Sequence, residues 1–322
     1  MGSTHDLSGK TILVSGAVGM IPSFLCEFYL NKGATVIGID NFLTGLNKTK
    51  DTLCETYENF KFFEADVARS LPTELDQYNI DYIFHMASPA SPIDFKTLQL
   101  EIMEVNIRGT QNLLELARSK NARFLMASTS EAYGDPEIHP QNEEYRGNVS
   151  TTGPRACYDE SKRMSETYCS VYNEKFGVET RIIRIFNTYG PRMRSFDGRV
   201  IPNFINQALK GEDLTVYGDG SQTRSYCFVT DLVDAIDHVM FSNVSSPVNV
   251  GSPDEYTILE TAQTIIEVLN SSSKISFQEL PKDDPKKRKP DISKLKSFSD
   301  YCPSVPFHEG IRRTAEFFKD QL

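Results

Sequence analysis

The sequence contains no apolar run close to the ~18 residues that a membrane-spanning helix needs. Its first ten residues, MGSTHDLSGK, are polar and lack the apolar segment of a secretory signal, so a cytoplasmic location is expected. Basic residues are few: 34 Lys and Arg stand against 44 Asp and Glu, a net charge of −10. That balance excludes the broad basic face on which nucleic-acid phosphates bind. The six cysteines (Cys26, Cys54, Cys157, Cys169, Cys227 and Cys302) show no CxxC spacing. They read as free thiols in a reducing compartment, with no metal site. Internal repeats and low-complexity tracts are also missing.

What remains is an ordinary soluble composition, 39% apolar and 24% charged over 322 residues. That length suits one large domain plus a smaller lobe. Strand-like runs recur: TILVS at 11–15, ATVIGID at 34–40, FKFFEAD at 60–66, DYIFHMA at 81–87, RFLMAS at 123–128 and ETRIIRIFN at 179–187. Helical patterns fall between them, to about Lys32, from about Leu98 to Lys120, and over 157–176. The alternation predicts an α/β fold, a Rossmann-type doubly wound parallel sheet covered on both faces. After Gly190-Pro191 the rhythm breaks into turns and short segments. The expected organisation is a dinucleotide-binding domain over 1–190 and a smaller substrate-binding lobe over 191–322, with some later segments returning to the first domain.

The turn GAVGMIP follows the first strand. Gly16 and Gly19 permit a tight turn and close approach of backbone N–H groups to a pyrophosphate at a helix N-terminus. Pro22 stands where a third glycine is usual, and proline is tolerated in a first helical turn. Asp40 ends the second strand, where a carboxylate accepts from both ribose hydroxyls and repels a 2′-phosphate, favouring NAD over NADP. The expected cofactor set is Gly16, Val18, Gly19, Met20, Ile21, Asp40, Asn41, Asp66, Val67, Ala87 and Ser88, with Tyr158 and Lys162. Pro22 is expected to change helix-to-strand packing and Val18 to crowd the same place, which predicts a lower cofactor affinity.

YDESK places Tyr158 and Lys162 four residues apart, on one helix face. An ammonium beside the phenol is expected to lower its pKa, so that Tyr158 takes a proton from an alcohol. STSEAYGDP follows a strand end, where open parallel sheets bind ligands. There Thr129 and Ser130 offer hydroxyls and Glu131 is a candidate acid or base. On composition alone, each of these segments also reads as a surface pair or a polar loop.

Together, GAVG, DNFLTG, HMASPASP, STSEAYGDP, GPRACYDESKR, RIFNTYGPRM, DGRVIPNFI, LTVYGDGSQTRSY and DDPKKRKPDI resemble the extended short-chain dehydrogenase/reductase superfamily. Within it they look most like the UDP-glucuronate decarboxylases, over about residues 10–320. The resemblance implies Tyr158 and Lys162 as the catalytic pair, Thr129 orienting a hydroxyl, and Ser130 and Glu131 at the sugar. It implies Asn187, Arg192, Asn203, Tyr217, Gln222 and Arg224 around the nucleotide and diphosphate. Arg288, within the basic run KKRK at 286–289, is implied in decarboxylation or phosphate binding. The cofactor implied is NAD and the partner a UDP-sugar, with no nucleic acid and no membrane.

Ser130-Glu131 stands where the 4,6-dehydratases tend to carry Asp-Glu, which favours decarboxylation through a 4-keto intermediate with NAD recycled. A 4,6-dehydratase, a C4-epimerase, a C4-dehydrogenase or a non-catalytic nucleotide-sugar binder are the alternatives. Leu46 and the stretch IDFKTLQLEIMEVN depart from the family pattern near the sugar. The resemblance also implies a homodimer through helices at about 98–119 and 157–176, with Ile102, Val105, Leu113 and Leu116 compatible with that face or with the core.

Overall fold

The computed structural model describes residues 5–279 and 287–321, so Lys286 and the DDPK portion of the basic motif lie outside the described residues. The chain opens with β1 (Thr11–Ser15), α1 (Met20–Asn31), β2 (Thr35–Asp40), α2 (Asn47–Thr56), β3 (Phe60–Glu64) and β4 (Tyr82–His85). Next come α3 (Asp94–Thr97), α4 (Gln99–Glu104), α5 (Thr110–Lys120), β5 (Arg123–Thr129), α6 (Ala156–Phe176) and β6 (Thr180–Ile185). A later strand, Val248–Val250, pairs with β6 and completes a seven-stranded sheet. Its order is Val248–Val250, β6, β5, β4, β1, β2, β3, and every pairing is parallel.

Parallel strands buried on both faces read as β-branched and aliphatic runs, which explains TILVS and TVIGID. The strand order reverses between β1 and β4, and the crevice at such a switch point is where these sheets take ligands. One hydrogen-bond cluster fixes that crevice. Ser15 Oγ accepts from the Met86 and Ala87 N–H groups at 3.1 and 3.2 Å. Both lone pairs are then used, so the Ser15 hydroxyl donates to His85 Nδ1 at 2.8 Å. Burial pushes His85 down to about 3, which keeps it neutral.

The expected single helix from Leu98 to Lys120 is interrupted. A π-turn over Val105–Gly109 separates α4 from α5. Buried Asn106 sits in it, its amide donating to Ser161 Oγ at 2.9 Å and its carbonyl accepting from Ser165 Oγ at 2.6 Å. The bulge thereby ties this helix to α6, which bears Tyr158 and Lys162. On the same stretch Ile102 and Leu113 are fully buried within the monomer, so those two side chains serve its core. A second apolar cluster, including Phe204, Ile205, Val216, Ile265, Ile311 and Phe318, forms the core of the later segments. Helix Val229–Met240 instead packs on the main sheet core together with α1. No helix among the described residues is long and apolar enough to cross a membrane.

Candidate active site

A cavity of about 1200 Å³ runs along the carboxyl ends of the sheet strands. Every residue expected at the site lines it: Gly16, Val18, Gly19, Met20, Ile21, Asp40, Asn41, Asp66, Val67, Ala87 and Ser88 on one side. Thr129, Ser130, Glu131, Tyr158 and Lys162 line its middle, and Asn187, Arg192, Asn203, Tyr217, Gln222, Arg224 and Arg288 the rest. Its size exceeds the roughly 300–1,000 Å³ of a usual single-ligand pocket.

At the cofactor end, Gly16 has φ +71°, and a Cβ there would lie 2.8 Å from Ala87 Cα. Only glycine fits, and the turn presents bare backbone. Gly19 caps α1, and Pro22 takes the third position of that helix, where its missing N–H had no intrahelical partner to lose. Asp40 is buried and accepts from the Val18 N–H at 3.2 Å and the Phe42 N–H at 2.8 Å. One bond to each oxygen leaves a lone pair on each for a ribose diol. Asp66 caps its own turn through the Ala68 N–H at 2.9 Å. A glycine-lined turn, a helix N-terminus and a carboxylate at the end of β2 fit an NAD moiety.

Lys162 is buried, and its Nζ donates to the Ala127 carbonyl at 2.9 Å. Burial pushes the ammonium down to about 7. Tyr158 is buried as well, and the expected lowering of its pKa is not what the structure gives. Burial pushes the phenol up to about 12; the Thr129 hydroxyl pulls it down, Glu131 and Asp159 push it up, and Arg199 pulls it down. The reason is that burial desolvates the phenol itself, and this outweighs the pull of its neighbours.

Glu131 lies in a 3₁₀ turn, Ser130–Tyr133, that follows β5 directly. Arg288 Nη1 stands 3.0 Å from its Oε1, and Arg155 Nη2 stands 2.7 Å from its Oε2. Burial by itself would raise this carboxyl; Arg288, Arg155 and Arg224 outweigh it and hold Glu131 below the ordinary glutamate range. Arg288 is almost fully buried and also donates to Ser130 Oγ at 3.3 Å and the Gly134 carbonyl at 3.2 Å. Its strand, Lys287–Arg288, runs parallel to Thr223–Ser225, with Arg288 beside Arg224. Arg192, at the cavity wall, is also held 2.6 Å from Glu27 and over the Phe24 ring, both on α1.

The sequence-based set lacked Arg155, Phe95 and Asp159. Phe95 stacks on Tyr158 with ring centroids 4.8 Å apart. Asp159 is buried beside Tyr158, its Oδ1 with no hydrogen-bond partner. Burial, then the nearby Glu131, pushes its carboxyl up to about 7. The only signal for Arg155 was its place in GPRACYDESKR.

The profile of the NAD dependent epimerase/dehydratase family matches residues 12–251. The chain belongs to this family. UDP-glucuronic acid decarboxylase 1 of Danio rerio is 48% identical over 313 residues, which cover 97% of this chain and 73% of that protein. UDP-glucuronic acid decarboxylase 5 of Arabidopsis thaliana is 45% identical over 318 residues, 98% of this chain and 91% of that protein. The solved UDP-glucuronic acid 4-epimerase of Bacillus cereus, in complex with UDP-glucuronic acid and NAD, superimposes with a TM-score of 0.86 at 27% identity. That match covers 97% of this chain and the whole of the epimerase. As an NAD-dependent epimerase/dehydratase, the chain takes NAD as its cofactor.

Proposed function

We propose that this protein is an NAD-dependent decarboxylase that converts UDP-glucuronate to UDP-xylose and carbon dioxide. One observation separates this reading from dehydration. Ser130, which lines the cavity and accepts from Arg288 at 3.3 Å, offers only a hydroxyl where a dehydratase uses a carboxylic acid to protonate a departing C6 hydroxyl. Loss of carbon dioxide requires no acid at that carbon. The relatives named decarboxylases over nearly the whole chain support the same choice.

In this reading Tyr158 takes the proton of the sugar C4 hydroxyl, and Thr129 orients that hydroxyl. When bound, NAD would supply the acceptor and later the donor of the C4 hydride, and its positive charge would favour the Tyr158 phenolate. The C4 ketone is β to the C6 carboxylate. As the C5–C6 bond breaks, its electron pair moves to the C4 oxygen, where Thr129, Ser130 and Tyr158 stabilise the enolate. C5 then takes a proton from water, and Tyr158 returns its proton to the C4 oxygen as the ketone is reduced. Arg288 holds Ser130 and Glu131 against the sugar, while Arg224, Asn187, Asn203, Tyr217, Gln222 and Arg192 surround the UDP moiety. Lys162 stands at the nicotinamide ribose.

The dinucleotide domain is assigned to 1–190, with helix Val229–Met240 and strand Val248–Val250 returning to it, and the substrate lobe mainly to the rest of 191–322. We further propose a homodimer through α4, α5 and α6. Leu100 and Met103 on α4, and Met164 and Val171 on α6, are 73%, 41%, 48% and 45% exposed, an apolar face that a second copy would cover. The six cysteines are free, which fits the cytoplasm. Incubation with UDP-glucuronate and NAD tests the activity by mass. A product lighter by ~44 mass units supports decarboxylation, and a loss of ~18 mass units, as water, contradicts it.

A further inference from the structure

An arginine outside the expected set reaches the catalytic loop. Arg155 precedes α6 as its N-cap residue. Its Nη2 meets Glu131 Oε2 at 2.7 Å, while Arg288 Nη1 meets Oε1 at 3.0 Å. Each carboxylate oxygen therefore has its own guanidinium. The two partners differ in access: the Arg155 side chain is 32% exposed and lines the cavity, whereas that of Arg288 is 3% exposed. Arg155 also lies 5.3 Å from the centroid of the Phe95 ring, and that ring stacks on Tyr158 at 23°. One side chain thus touches both the carboxylate and the ring that packs on the catalytic phenol.

We propose that Arg155 is a positioning residue, holding the Glu131 carboxylate turned toward the sugar and, through Phe95, the plane of the Tyr158 ring. The role rests on the decarboxylase reading given above. A carboxylate gripped on one oxygen swings about a broad terminal torsion, and a second charge-assisted bond stops it. The groups facing Glu131 are Arg155, Asp159 and Tyr158 from α6 and its cap, and Arg288 and Arg224 from the two short strands. Among its neighbours Arg155 is the second-largest charge holding Glu131 ionised, after Arg288. Its removal lets Glu131 titrate higher.

The test compares Arg155→Met and Arg155→Lys in the full chain with NAD. Arg155→Met is expected to lower kcat on UDP-glucuronate about ten- to thirtyfold, the worth of one bond to a charged group. KM stays within about threefold, and the acid limb of kcat moves to higher pH. Arg155→Lys restores the position of that limb, because the charge remains, and only part of kcat, because an ammonium lacks the planar fork. A second reading needs no turnover. The ¹³C carboxyl resonance that disappears in Glu131→Gln is followed against pH, and it titrates higher in Arg155→Met than in the parent. An unmoved resonance overturns the proposal, and so does an effect confined to KM, which marks a direct substrate contact. A parent enzyme that releases no carbon dioxide sinks the decarboxylase reading alone; the resonance still decides what holds Glu131.

Discussion

Val18 packs so tightly on Gly45 that a Cβ at Gly45 would lie 2.5 Å from Val18 Cγ2. The same Cβ would stand 3.0 and 3.2 Å from the two Asp40 oxygens. The bulky residue in the glycine turn is therefore accommodated by a glycine on the facing loop, and the two share the wall that presents Asp40. Gly45→Ala is expected to weaken NAD binding about tenfold, as overpacking by one methyl commonly costs ~1–3 kcal/mol. Val18→Ala in the same chain removes Cγ2 and should recover most of the loss. Calorimetric titration with NAD checks both, and additive losses in the double variant would contradict the coupling.

Asp159 gives the fold a pH dependence with a definite sign. Its carboxyl is raised by burial to about 7 from an ordinary 3.8, so between those values the folded chain holds a proton that the unfolded chain has lost. Stability contributed at this position is complete below pH ~4 and falls as pH rises to ~7. Asp159→Asn should therefore match the parent at low pH and exceed it at pH 8 by on the order of 4 kcal/mol in urea unfolding. A constant difference across that range would show that the side chain does not titrate there.

Lys162 titrates in the opposite sense. Its ammonium is pushed by burial to about 7 from 10.5, so between those values the unfolded chain binds the extra proton. Stability rises with pH through this window and is lowest below it. Lys162→Met should unfold later than the parent at pH 7, with the gap closing toward pH 10. Thermal melts of the cofactor-free protein at the two pH values read this directly, and a gap that widens with pH would contradict the burial of the charge.

The features legible in the sequence are those with local signatures. The glycine turn, Asp40 at a strand end and the four-residue step from Tyr158 to Lys162 all sit in one cavity because strand and helix periodicity already places them at one sheet edge. Long-range effects were not legible. The step predicts a lowered phenol, yet the burial that desolvates Lys162 also desolvates Tyr158, and spacing carries no information on burial. Apolar spacing over 98–120 cannot reveal the π-turn, nor that Ile102 and Leu113 face inward while Leu100 and Met103 face out. Arg155 gains its meaning from Glu131, a residue 24 positions earlier on another element.

The most direct test of the account is turnover of UDP-glucuronate in heavy water, read by proton and carbon NMR of the product. Loss of the carboxylate as carbon dioxide, followed by protonation at C5, leaves UDP-xylose with one deuterium at C5 and none at C4, because the C4 hydrogen is returned from the cofactor. Deuterium at C4, a UDP-sugar that keeps its carboxylate, or substrate left unchanged would contradict it.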